Sequence, residues 1–376
     1  MSGGALRRIG RLLALATGGL AGLALAAFLV AWSGIFNVAA SRGHWAIVEW
    51  FLAFGMRNSV ELRAMAIQSP PLEDPNLVTL GAAHFHGGCA FCHGTPGTTV
   101  SPIARHMLPS PPDLKTSMRP WTDEELFWIV KHGLKYTGMP GWVALERADE
   151  IWAVVAFLKQ MPSIDAATYR ALALGSVRLP GQTGEELATI ESNRQAAGAC
   201  ARCHGAEDVG PSSALVPSLH GQPAEFLLAA LEQYAEGSRR SGIMQPLAAD
   251  LDANDRRRLS EYYAGLTPPK RAPATAGNSR SERGRQLATE GDAANGIPAC
   301  DACHSGTAVA SYPRLAGQSA AYMAGQLDLW RAGHNAATGS GAIMAPIARR
   351  LSPADIDAVT TYFANVPRHA GGAGSR

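Results

Sequence analysis

The chain has 376 residues, 47% of them apolar, and a net charge of +2. That near-neutral balance leaves no basic footprint for nucleic acid, and the length allows two or three domains.

Arg7, Arg8 and Arg11 precede an uncharged stretch that runs from Leu12 to Ser41. Its most apolar part, Leu12 to Phe36, is about 37 Å long as a helix, enough to cross a bilayer. The arginines favour the cytoplasmic side, which sends the rest of the chain outward. Val38-Ala39-Ala40 offers small residues for a signal-peptidase cut. A signal peptide's apolar region is usually about 7–15 residues, however, roughly half of what stands here. Residues 1–41 are therefore read as a cytoplasmic arginine cluster and an uncleaved transmembrane anchor. Residues 42–75 follow as a connecting helix, with Trp45, Val48, Phe51 and Leu52 on one side of His44 to Ile67. Trp32, Trp45 and Trp50 suit the aromatic belt of a membrane surface, and the same face suits packing on the next domain.

All six cysteines fall in three copies of one pattern: Cys89-Ala90-Phe91-Cys92-His93, Cys200-Ala201-Arg202-Cys203-His204 and Cys300-Asp301-Ala302-Cys303-His304. Cys-x-x-Cys-His is the attachment signature of c-type haem. Two thiols three positions apart on one helical turn each bond a vinyl group, and the next histidine sits beneath the iron. A zinc site would need four converging ligands, and a redox dithiol has no use for the histidine. The expectation is three covalent haem c groups, with His93, His204 and His304 as proximal iron ligands.

Internal comparison reveals a repeat. Cys200 and Cys300 differ by 100, as do Met244 and Met344, and Tyr262 and Tyr362. Between them, Leu219-His220-Gly221-Gln222 matches Leu315-Ala316-Gly317-Gln318 at an offset of 96. A four-residue shortening after His304 is thus cancelled by a lengthening around His334 to Ser340, and both differences are assigned to loops. Each copy reads as a helix, the cysteine motif, a Pro-x-Leu loop, a middle helix, a methionine-bearing loop and a closing helix. Ser352 as N-cap, Pro353 and Asp355 mark the last closing helix. In the first copy, Asp74-Pro75 opens a helix, Thr122 caps a middle helix to His132, and Glu150 to Leu158 closes. Breaks fall at Pro162 to Gln182 and Pro268 to Ser279. The expected units are 76–163, a linker at 164–180, 181–267, a second linker at 268–279, 280–367 and a tail at 368–376.

The opposite face of each iron decides between a carrier and an open catalytic site. Met244 in Ile-Met-Gln-Pro and Met344 in Ile-Met-Ala-Pro each lie 40 residues after their histidine, and Met139 lies 46 after His93. These three are the expected sixth ligands. Met107, Met118, His106 and His132 remain rivals in the first domain. His84 and His86 fall too close to their own motif to reach across, and His220 and His334 read as surface.

This order of elements is similar to class I cytochrome c domains, and residues 181–367 resemble the tandem domains of the dihaem cytochrome c4 family. The resemblance rests on Cys200, Cys203, His204, Leu219, Gly221, Gln222 and Met244, and on Cys300, Cys303, His304, Pro313, Leu315, Gly317, Gln318 and Met344. Residues 76–163 resemble single-haem cytochromes of the kind associated with c-type oxidases, through Cys89 to Gly94 and Gly138-Met139-Pro140-Gly141-Trp142. Ser305 departs from the pattern, standing where the other motifs have Gly94 and Gly205. The resemblance implies an all-α chain: one N-terminal transmembrane helix, then three class I cytochrome c domains. It also implies that a proline carbonyl orients each proximal imidazole, from Pro112, Pro217 and Pro313, with Pro102 as a rival in the first domain. In bacteria such haems are attached outside the cytoplasmic membrane, so the expected location is the periplasmic side of the inner membrane, on a single-pass anchor.

The function so implied is a respiratory electron relay between redox protein partners, with a dehydrogenase or oxidase complex among the candidates. One alternative is the cytochrome subunit of a membrane dehydrogenase that passes electrons to quinone. Trihaem subunits of that kind are expected to carry a C-terminal anchor, whereas the apolar segment here is N-terminal. The other alternative is a haem enzyme such as a peroxidase, which the three methionines oppose. No acid–base constellation suggests catalysis.

Overall fold

The computed structural model describes residues 3–35, 37–39, 41–117, 120–175, 192–269, 278–305 and 311–367. Regular structure among them is helical, apart from three isolated β-bridges. Helix α1 (Gly3–Ser33) includes the 26-residue segment Arg8–Ser33, within which an 18-residue stretch has a mean hydropathy of 2.1 and none of that stretch is buried against protein. Helix α2 (Ala46–Ala64) divides in two. Its C-terminal half buries Val60 and Ala64 and sets Arg57 over the Trp121 ring at 5.1 Å. Its N-terminal half leaves Trp45, Ile47, Trp50, Phe51 and Phe54 exposed. Packing on the next domain therefore accounts for only one half of this helix.

The first motif lies between α3 (Pro75–Gly88) and α4 (Asp123–His132), with α5 (Ala148–Gln160) closing behind. Asp74 accepts from Asn76 N at 2.9 Å, and Thr122 with Glu125 forms a full capping box, so both helices start where the sequence signals placed them. Helices α3 and α5 cross at Gly81, where a Cβ would collide with the carbonyl oxygen of Ala153. Around that crossing Phe85, Ile151, Phe157 and Met161 are fully buried. Gly81→Ala should lower stability by roughly 1–3 kcal/mol, the usual range for overpacking a close helix contact. A thermal melt of the variant at or above the parent would contradict this close approach.

The break expected at 162–182 instead holds a helix, α6 (Ala166–Leu174). Asp165 caps it through Thr168 N at 2.7 Å, Gly175 ends it at φ 63°, and Tyr169 joins the first core. The second copy comprises α7 (Ser192–His204), α8 (Ala224–Ala235), α9 (Met244–Ala249) and α10 (Ala253–Gly265). The third comprises α11 (Asn278–Thr289), α12 (Ala320–Arg331), α13 (Gly339–Ala348) and α14 (Pro353–Asn365), the last opened by the Ser352 and Asp355 capping box. The four extra residues are not a longer loop but about one added turn at the start of α13, capped by Thr338 Oγ1 on Gly341 N at 3.0 Å. The compensating shortening falls on residues 306–310, outside the described residues.

Arg283 of α11 bonds Asp292 at 2.9 Å and Asp355 of α14 at 2.8 Å. Hydrogen bonds from Arg283 and Asn295 hold Asp292 down at about 2. Asp355, though burial pushes it up, is held below the usual range by Ser352 and Arg283. Both carboxyls are depressed in the folded state. Their contribution is therefore present above the ordinary carboxylate value of about 3.9 and disappears as pH falls through about 2. Acid titration of Arg283→Ala by circular dichroism should show a stability deficit near about pH 5 that closes towards pH 2.

Candidate haem-binding segments

Each motif folds as a single turn. His93 N donates to Cys89 O at 3.0 Å and His304 N to Cys300 O at 3.0 Å, while the second motif ends α7. Both cysteines and the histidine of each motif thus occupy one short helical segment. Gly94 and Gly205 follow at φ 70° and 74°, each leading into a tight bridge, Thr95 to Thr98 and Ala206 to Val209. Ser305 itself lies in the right-handed helical region at φ −68°, so the third motif has no need of glycine there.

The three imidazoles share one second partner. Nδ1 of His93 meets Pro112 O at 3.0 Å, that of His204 meets Pro217 O at 2.9 Å, and that of His304 meets Pro313 O at 2.8 Å. A proline carbonyl fixes the ring and its tautomer and leaves Nε2 as the nitrogen that could take a metal. Pro102 serves another residue: its carbonyl pairs with His106 Nδ1 at 2.7 Å. Burial lowers all three motif histidines, which keeps them neutral and able to bind metal. Burial also pushes the first cysteine of each motif up, Cys89 to about 12 and Cys200 and Cys300 to about 11. Such thiols are the opposite of a redox dithiol's low-pKa thiolate. Among the described residues, no three His, Cys, Asp or Glu side chains gather as a closed zinc site would need. The residues present fit covalent haem.

Met139 sits half-buried in a loop, its N–H donating to Thr137 Oγ1 at 3.0 Å and its carbonyl accepting from Leu134 N at 3.2 Å. Met244 is the first residue of α9 and Met344 lies within α13, so both ride on helices rather than loops. Both are half-buried. Met107 packs its methyl group where a side chain on Gly138 would stand, which keeps it beside the Met139 loop. Met118 lies outside the described residues. His106 and His132 are exposed. His220 is not a surface residue: it is fully buried, edge-on to Tyr263 at 6.2 Å, where the third copy has a small alanine. His334 is half-buried. His84 lies tilted against the Trp142 ring at 4.6 Å, and burial reinforced by the charge of Arg202 lowers it to about 4.

The copies are joined through these same segments. Gln222 Nε2 donates to Arg314 O and Arg314 N donates back to Gln222 Oε1, both at 2.9 Å. Gln318 repeats the exchange with Ser218, at 3.0 and 2.9 Å. Gln222 and Gln318 are repeat partners, as are Ser218 and Arg314, so the pairing is two-fold. It ties together the residues that directly follow the orienting prolines, Pro217 and Pro313. Between the first and second copies, Arg202 of the second motif reaches Gly87, two residues before Cys89.

Residues 76–158 match the family described as Cytochrome C oxidase, cbb3-type, subunit III. A thiosulfate dehydrogenase electron acceptor of Stutzerimonas stutzeri is 36% identical over 199 residues, 52% of this chain and 92% of the relative. Cytochrome c4 of Pseudomonas aeruginosa is 33% identical over 196 residues, 51% and 94% respectively. Among solved structures, reduced cytochrome c4 from Pseudomonas stutzeri aligns at 30% identity with a TM-score of 0.40, over 44% of this chain and 93% of its own. These relatives are named as cytochromes and electron acceptors, and each is matched by about half of the present chain. With nearly the whole of both curated relatives covered above 30% identity, the chain belongs to the cytochrome c4 family, electron-carrying c-type cytochromes with covalently bound haem.

Proposed function

We propose that this protein is a membrane-tethered cytochrome with three haem c groups that relays single electrons between redox partners on the periplasmic side of a bacterial inner membrane. The observation that carries this reading is the threefold recurrence of Cys-x-x-Cys-His with its imidazole Nδ1 on a proline carbonyl. Haem bound there supplies reversible one-electron chemistry. His93, His204 and His304 would offer Nε2 to iron, and the paired cysteines would hold the porphyrin as thioethers. Met139, Met244 and Met344 would close the opposite faces, which favours carrying over substrate turnover. Arg202 against Gly87 and the reciprocal glutamines support a linear order with the second site in the middle.

Helix α1 serves as the tether, and the exposed aromatic half of α2 rests at the lipid surface, where tryptophan is favoured. The electron donor on this reading is a dehydrogenase of the thiosulfate-oxidising kind that the first relative is named for. The same likeness supports a second reading, in which the chain is a fixed cytochrome subunit of such a dehydrogenase. Intact mass after denaturation tests the haem count: three retained haem additions are expected, with three electrons taken up per chain on reductive titration. Two additions would remove the third site from the relay.

A further inference from the structure

Glu150 is a carboxylate with almost no exposure, 3%, in the interior of a junction between all three copies. Its oxygens meet four donors. Oε1 lies 2.8 Å from Arg147 Nη1 and accepts from Ser241 Oγ at 2.5 Å. Oε2 accepts from Gly242 N at 2.6 Å and from Trp142 Nε1 at 3.2 Å. Four donors meet the acceptor capacity of one carboxylate, which is what makes a buried charge tolerable. Trp142 stands three residues after Met139. Ser241 stands three residues before Met244. The junction extends to the third copy, since Arg147 Nη1 donates to Arg240 O at 3.1 Å and Arg240 N donates to Asn335 Oδ1 at 2.7 Å.

The Ser241 hydroxyl has one proton, and it goes to Glu150. Its lone pairs are thereby aimed at the amides of Ile243 at 3.2 Å and Met244 at 3.0 Å, the start of α9. The third copy does the same work internally. Thr338 donates to Asn335 O at 2.9 Å and caps Gly341 N, and among the described residues no carboxylate bonds its hydroxyl. Gly242 admits this arrangement because any side chain there would collide with the Trp142 ring.

We infer that Glu150 of the first copy is a positioning residue for the second site: through Ser241 and Gly242 it fixes the segment that delivers Met244, while the third site holds its own methionine segment without such help. The inference rests on the reading of Met244 as an iron ligand, and it predicts an asymmetry between two sites that the repeat would otherwise make equivalent. The test compares Glu150→Ala, Glu150→Gln and Ser241→Ala in the full haem-loaded chain. Hydrogen exchange at the Met244 amide should quicken roughly tenfold or more in Glu150→Ala, the consequence of losing a buried charge-assisted bond. Carbon monoxide should then bind one haem in three, the second, while the methionine signals of the other two persist in the proton spectrum. Ser241→Ala should reproduce that pattern with the carboxylate retained, and Glu150→Gln should fall between parent and alanine. A folded Glu150→Ala with unchanged exchange at Met244 overturns the inference, and so does equal loosening at all three sites. Carbon monoxide binding at the second haem of the unmodified protein would count against the ligand reading instead, and the exchange measurement would still decide the role of Glu150.

Discussion

Met244→Ala is expected to open the second haem to carbon monoxide in the ferrous state and to abolish its share of the sulfur-to-iron band in the ferric state. The thioether is a soft ligand that favours Fe(II), so its loss should also lower the potential of that site. The drop should be on the order of 0.1 V, a fraction of the roughly 0.8 V that axial ligands span. The fold should survive, because α8 and α10 pack directly on each other and His204 keeps its bond to Pro217 at 2.9 Å. The first and third sites should be unaffected. Carbon monoxide spectra of the variant that match the parent would place the true ligand elsewhere. Met139→Ala is the parallel experiment in the first copy, where Met107 stands beside the same loop as the substitute to test.

Removal of residues 1–40, with a cleavable export signal in their place, should move the protein from the membrane fraction to the soluble fraction. The apolar run Arg8–Ser33 buries nothing against the rest of the chain, so its loss leaves the haem-binding copies intact. High salt should not release the full-length form, since a net charge of +2 gives little electrostatic attachment and an apolar helix of this length gives a great deal. The exposed half of α2 refines the expectation. The shortened protein should keep a weak, reversible affinity for lipid vesicles that Trp50→Ser with Phe51→Ser removes. Expression of the whole chain that yields protein free in the periplasm with Ser41 as its first residue would contradict the tether.

Much of this architecture is legible in the sequence because its signals are local. Asp74, Thr122 and Ser352 cap helices where side chain and spacing say they should, and the cysteine motifs carry their own geometry in five residues. Helix α6 carried equally local signals in Asp165 and Gly175, but a proline and glycine background hid them. The α13 turn is hidden in the sequence for a different reason. A length change says where the chain differs, not whether the extra residues coil, and Thr338 decides that by capping. His220 looked like a surface residue because a lone histidine has no periodicity. It packs in the interior beside Tyr263, which lies 43 positions away in the sequence and edge-on in space. Glu150 is the clearest case of what a sequence withholds. A carboxylate near a helix start reads as a complement to the helix dipole. Its partners Ser241 and Gly242 are more than ninety residues distant, and only the folded junction shows the charge to be buried. The glutamines of Leu-x-Gly-Gln stand between these extremes: their repetition was visible, but their reciprocal pairing required the two-fold arrangement.

The most direct test of the relay is exposure of the unmodified, fully reduced protein to carbon monoxide, followed by its absorption spectrum. With three methionine-closed sites, the spectrum should remain that of the ferrous protein alone. Rapid binding at any one haem would contradict a pure relay and mark that site as open to substrate or signal.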